Sequence, residues 1–71
     1  MKLDPETILV PARWSGSTHC VHWYRVGYVA AFEDRFDSEE ALARRGQVAK
    51  AYWAGRFAGG ELRQRFLQTT P

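Results

Sequence analysis

The sequence has one cysteine and no long apolar run. Since Cys20 is alone, a disulfide within the chain is excluded, which is typical of a reducing compartment. No apolar stretch approaches the roughly 20 residues that a membrane-spanning helix needs. The first residues lack a basic run followed by an apolar stretch, so we expect no signal peptide. These features predict a cytoplasmic protein that does not act at a membrane.

The length of 71 residues predicts one small domain, with residues 1–6 and 69–71 flexible at its ends. A chain of this size hides only roughly 60% of the surface that its unfolded form exposes. There is little room for a deep, walled active site. The composition, with eight arginines and many alanines, is typical of a GC-rich bacterial or phage genome.

Charge is unevenly distributed along the chain, although the net charge is only +2. Residues 1–40 contain seven acids and four bases, whereas residues 41–71 contain six bases and one acid. Such asymmetry indicates either an anionic partner or the solvated basic face of a helical half.

The first half of the sequence alternates between apolar and polar residues, which favours strands over 7–14, 19–26 and 28–32. A turn at residues 15–18 would join the first two strands into a hairpin. Tyr28, Ala31, Phe32, Arg35 and Phe36 also fit a helical stripe, so a helix over 28–36 is the alternative. We expect an α+β fold with a two- or three-stranded antiparallel sheet.

The second half has the signals of helices. Asp37 and Glu40 have capping-box spacing, so a long helix should run from there to about Ala54, unless Gly46 ends a first short helix. Glycines 55, 59 and 60 are expected to interrupt the chain before a short C-terminal helix over 61–68. Both helices should pack on one face of the sheet.

The side chains best suited to metal binding or catalysis are His19, Cys20 and His22. On a strand, only Cys20 and His22 share a face, which is short of the four ligands of a structural zinc site. As a nucleophile and base they would need a third residue to orient the histidine. We therefore expect no metal, no cofactor and no enzymatic activity.

Arginines alternate with aromatic residues along the chain, and both residue types are enriched in binding hot spots. Strand alternation would place Arg13, Trp23 and Arg25 on the outer face of the sheet. A helical projection places Arg45 and Arg56 within an apolar stripe beside Trp53. These arginines would snorkel to water, pair with a carboxylate or meet a partner.

The stretch Phe36-Asp37-Ser38-Glu39-Glu40-Ala41 resembles the strand-to-helix junction of integrase arm-type DNA-binding domains and of a plant family of DNA-binding domains. The resemblance covers these six residues and implies a three-stranded sheet that presents Arg and Trp to a DNA groove. The low net charge and the five acids within 33–40 count against contact with phosphate.

Mixed charge and aromatic anchors favour a small, non-catalytic regulatory protein that occupies a surface of a partner protein. One version is a phage- or mobile-element-encoded inhibitor of a host protein. The alternative is a sequence-tolerant nucleic-acid-binding protein that uses its basic half. A small core and exposed aromatics are also compatible with a homodimer.

Overall fold

The computed structural model describes residues 3–68, and this part of the chain is built from helices without any strand. The helices are α1 (Ala12–Ser15), α2 (Thr18–Phe32), α3 (Glu39–Leu42) and α4 (Gly46–Gln68), preceded by a 3-10 turn at Pro5–Thr7. The predicted α+β fold with an antiparallel sheet is therefore wrong. The core of the molecule is a helical hairpin of α2 and α4.

The N-terminal segment is not the strand predicted over 7–14. The side chain of Asp4 accepts a hydrogen bond from the Glu6 backbone N–H at 3.0 Å and caps the 3-10 turn. Ile8 and Trp14 are both buried, and they pack into the core formed with α2. Of the ends predicted to be flexible, residues 1–2 and 69–71 lie outside the described residues.

The strands predicted over 19–26 and 28–32 form one helix, α2. Its N-terminus is capped by Ser17, whose hydroxyl accepts a hydrogen bond from the Cys20 N–H at 3.4 Å. The alternation was misleading because Cys20, Tyr24 and Tyr28 are four residues apart. That spacing satisfies both a strand face and a helix face, so periodicity does not separate the two. The alternative helix over 28–36 is correct only as far as Phe32.

Close contact between α2 and α4 depends on three glycines: Gly27 on α2, and Gly55 and Gly59 on α4. A Cβ atom at each would overlap a backbone carbonyl oxygen of the opposite helix. The carbonyls concerned are those of Tyr52, Tyr24 and Tyr28, respectively. Because no side chain separates the backbones at these points, the two helices are in direct backbone contact there.

The same contacts explain why glycines do not interrupt α4, which runs unbroken through Gly55, Gly59 and Gly60. The short helix predicted over 61–68 is the last part of α4. Packing against α2 outweighs the cost of about 1 kcal/mol that each glycine imposes on a helix. Gly46 does separate α3 from α4, as the alternative held, and it has a φ of 67°.

The predicted cap of the main helix is also displaced. Ser38, not Asp37, caps α3, and its hydroxyl accepts a hydrogen bond from the Ala41 N–H at 3.1 Å. This leaves the Asp37 carboxylate available for contacts with α4. The centre of the hairpin is formed by Ala51 and Tyr52, which are almost completely buried.

Candidate functional site

The loop 33–38, which joins α2 to α3, is held against α4 by side chains of that helix. Arg56 donates a hydrogen bond to the Arg35 carbonyl oxygen at 3.2 Å and forms an ion pair with Asp37 at 3.1 Å. The Tyr52 hydroxyl donates a hydrogen bond to the same Asp37 carboxylate. The residues on either side of Phe36 are thus both fixed to α4.

Two further features shape the start of this loop. Arg63 donates a hydrogen bond to the Phe32 carbonyl oxygen at 2.8 Å, which satisfies one of the last carbonyls of α2. Asp34 has a φ of 57°, a left-handed conformation that reverses the chain direction and that Asp tolerates better than most residues. The loop therefore has defined anchors at its beginning and at its end.

Phe36 itself is 99% exposed. Trp53 and Phe57, which are 48% and 71% exposed, follow directly after the two residues of α4 that hold the loop. They lie one helical turn apart, so their rings lie along one row of α4. We call Phe36, Trp53 and Phe57 the aromatic surface.

The anchor of the loop is partly protected from water. Tyr52 is 1% exposed, and burial raises the pKa of its hydroxyl above the usual value of 10.0. The hydrogen bond to Asp37 raises this pKa further, whereas Arg56 acts in the opposite direction. The hydroxyl therefore remains a proton donor to Asp37 throughout the physiological range.

Two of the predicted binding residues, Trp23 and Arg45, come together at a shallow depression of about 360 Å³ between α2 and the start of α4. The Arg44 guanidinium lies 5.3 Å from the centre of the Trp23 ring. The Tyr52 ring makes an edge contact with the same Trp23 ring, and the two ring centres are 6.2 Å apart. Trp23 is therefore half-buried and packs between neighbours.

Arg13 and Arg25 do not share a face with Trp23. Because α2 is a helix, Trp23 and Arg25 lie about 200° apart around its axis, and the predicted outer sheet face does not exist. Arg13 is on α1, where its guanidinium lies 6.0 Å from the ring of Trp14. Arg25 lines a separate groove along α2.

The three residues of the predicted helix stripe have different surroundings. Arg45 precedes α4 and donates hydrogen bonds at 3.1 Å to the carbonyl oxygens of Leu42 and Arg44. Arg56 pairs with the carboxylate of Asp37, which was one of the three options predicted for it. Trp53 lies on the outer side of α4.

His19, Cys20 and His22 do not form a cluster with other ligand types. Among the described residues, no group of three or more His, Cys, Asp or Glu side chains is arranged to hold a metal ion. Cys20 is a buried free thiol that packs in the core. Within residues 3–68, no helix combines the length and the apolar character needed to cross a membrane.

Sequence reasoning did not select Phe36 or Phe57 as binding residues, nor the contact between Tyr52 and Asp37. A signal for Phe36 is present, since it is the only apolar residue within the polar stretch 33–40. The pairing of Tyr52 with Asp37 has no such signal, since it depends on how the hairpin folds back.

Comparison with known proteins gives no relative: no protein-family model, no curated protein and no solved structure matches this chain.

Proposed function

We propose that this chain is a cytoplasmic, non-catalytic regulatory protein that binds a partner protein through the aromatic surface. In this proposal Phe36 inserts into an apolar pocket of the partner, and Trp53 and Phe57 pack beside it. By masking a working surface of the partner, the chain would act as an inhibitor of a host protein, encoded by a phage or a mobile element.

The observation that supports this proposal is the display of Phe36 by a held loop. Full burial of a Phe side chain is worth roughly 1.5–3 kcal/mol, so its complete exposure leaves that free energy available for binding. Arg35 and Asp37 are already fixed by Arg56 and Tyr52. Because the loop is ordered beforehand, binding costs little additional conformational entropy.

The charges favour a protein partner over a nucleic acid. Several bases of the C-terminal half are engaged within the chain, where Arg45, Arg56 and Arg63 donate to backbone carbonyls. Glu39 and Glu40 are exposed at the start of α3, close in sequence to Phe36, and would repel phosphate. A mixed-charge rim around aromatic anchors is typical of protein interfaces.

The test compares capture of host proteins by the wild-type chain and by two variants, Phe36→Ser and Leu9→Ser. Leu9 is 92% exposed and lies outside the aromatic surface, so it is a matched control for loss of an exposed apolar side chain. We expect a partner captured by the wild type to be lost with Phe36→Ser and retained with Leu9→Ser. Far-UV circular dichroism should show the same helicity for all three proteins.

Three results would contradict the proposal. Equal capture by all three proteins would exclude Phe36 as an anchor. Loss of capture after nuclease treatment, with retention on heparin that falls steeply with salt, would favour the nucleic-acid alternative. Concentration-dependent dimerisation that Phe36→Ser abolishes would show that the surface binds a second copy of the chain.

A further inference from the structure

A groove of about 670 Å³ runs along the side of α2 that faces away from α4. It lies apart from the row of Trp53 and Phe57. Six of its residues come from α2 with spacings of three and four, so they share one helical face. The residues from α2 are Thr18, Val21, His22, Arg25, Val26 and Val29. Pro5, Ser15 and Arg35 complete the lining from neighbouring segments.

The chemistry of the groove is apolar along its length and basic at specific points. Val21, Val26 and Val29 supply aliphatic surface. The ionisable side chains among the described lining residues are His22, Arg25 and Arg35, and none of the lining residues is acidic. Such a lining is complementary to a ligand that combines an anion with an aliphatic body.

Arg25 is the group best placed to receive the anion. Its Nε atom is buried and has no hydrogen-bond partner among the described residues. Arg35, by contrast, is paired through its Nε with Glu33 at 3.0 Å. Arg25 forms no ion pair among residues 3–68, so a carboxylate in the groove supplies the counter-charge that its guanidinium lacks, in a geometry that matches arginine.

We propose that this groove, the α2 groove, binds a carboxylate carried on an aliphatic body, with the carboxylate paired to Arg25 and the chain lying along Val21, Val26 and Val29. The volume lies within the range of small-molecule sites. The proposal is independent of the aromatic surface, since Phe36, Trp53 and Phe57 do not line the groove.

The probe for this proposal is sodium decanoate, added to ¹⁵N-labelled protein and followed by amide chemical shifts. We expect saturable shifts at residues 18–29. Decan-1-ol has the same chain without the charge, and decylammonium reverses the charge, so both should bind at least tenfold more weakly. Equal binding of decanol, or shifts that appear only once decanoate forms micelles, would overturn the proposal.

Two variants test the assigned residues. Arg25→Gln keeps a polar side chain but removes the charge, and should weaken decanoate binding by roughly ten- to a hundredfold. Arg65→Gln, an exposed arginine of α4, is the matched control and should leave the affinity unchanged. If Arg25→Gln fails to fold, Val26→Phe fills the groove with an apolar ring and should abolish binding. Unchanged affinity in either groove variant would contradict the assignment.

The same chemistry is present at the C-terminus of a peptide that ends in leucine. A short peptide ending in two leucines, with either a free or an amidated terminus, distinguishes this source from a fatty acid. Tighter binding of the free peptide than of decanoate would assign the groove to a chain end. The reverse order would assign it to a lipid-derived carboxylate. If neither the free peptide nor decanoate binds, the proposal fails.

Discussion

The Tyr52 hydroxyl donates a hydrogen bond to the Asp37 carboxylate, and this bond joins the middle of α4 to the loop that displays Phe36. Tyr52 is 1% exposed, so its hydroxyl has little access to water as an alternative partner. Loss of the bond leaves Asp37 with Arg56 as its remaining contact on α4. A change at either Tyr52 or Asp37 should therefore affect both the stability of the protein and the order of the loop.

Replacement Tyr52→Phe should lower the free energy of unfolding by roughly 1–3 kcal/mol, since the lost bond is made to a charged acceptor at a buried position. Urea unfolding measured by circular dichroism gives this value. Tyr24→Phe is the control, because the Tyr24 side chain is also buried but no hydrogen bond contributes to the raised pKa of its hydroxyl. Equal losses in the two variants would show that the contact with Asp37 adds no stability.

The close approach of α2 and α4 gives a second prediction. Gly55→Ala places a methyl group on the Tyr24 carbonyl oxygen, so the helices must separate along their length. We expect a loss of about 3 kcal/mol in the free energy of unfolding. Gly60→Ala is the matched control, since a Cβ there meets nothing within 4 Å. It should stabilise the protein by up to about 1 kcal/mol through helix propensity. Opposite signs for the two substitutions are the decisive result in thermal unfolding.

These glycines also show what the sequence could and could not predict. The helical second half was predicted, and a break at Gly46 was the alternative to one long helix, because caps and breakers act locally. Gly55 and Gly59 were interpreted as interruptions, since their role depends on the backbone of a helix about 30 residues away. The strand prediction for α2 failed for the same reason: Cys20, Tyr24 and Tyr28 satisfy both periods, and only the partner helix decides between them.

The candidate site was predictable in its residue types rather than in its arrangement. Arg56 was expected to snorkel to water, pair with a carboxylate or meet a partner. That the carboxylate is Asp37 follows from the fold of the loop, which local patterns do not contain. The strand prediction placed Trp23 and Arg25 on the same face, because residues two apart share a face of a strand. In a helix, residues two apart lie on nearly opposite faces.

Stability should decrease above pH 10. Burial raises the pKa of Tyr24 and of Tyr52 in the folded chain, whereas tyrosines in the unfolded chain ionise near pH 10. Between the unfolded and folded pKa values the folded state binds more protons. Its stability is therefore complete below about pH 10 and is lost as the pH rises through the folded pKa values. Urea unfolding from about pH 8 to about pH 11.5, a range that brackets the usual tyrosine pKa, measures this loss. A flat profile would contradict the burial of both hydroxyls.

Arg56 should control the order of the loop more than the stability of the hairpin. Arg56→Gln removes the ion pair with Asp37 and weakens the bond to the Arg35 carbonyl. We expect the ¹⁵N order parameter of Phe36 to fall from the rigid range near 0.85 to below about 0.6. Arg65→Gln on the same helix should leave the order parameter of Phe36 unchanged.

A double-mutant cycle that combines Arg56→Gln with Asp37→Asn should give a coupling free energy of roughly 0.5–3 kcal/mol. Because a mobile Phe36 must be ordered on binding, Arg56→Gln should also weaken capture of the partner while the Phe36 side chain is still present. Unchanged order at Phe36 would show that the loop holds its shape without α4.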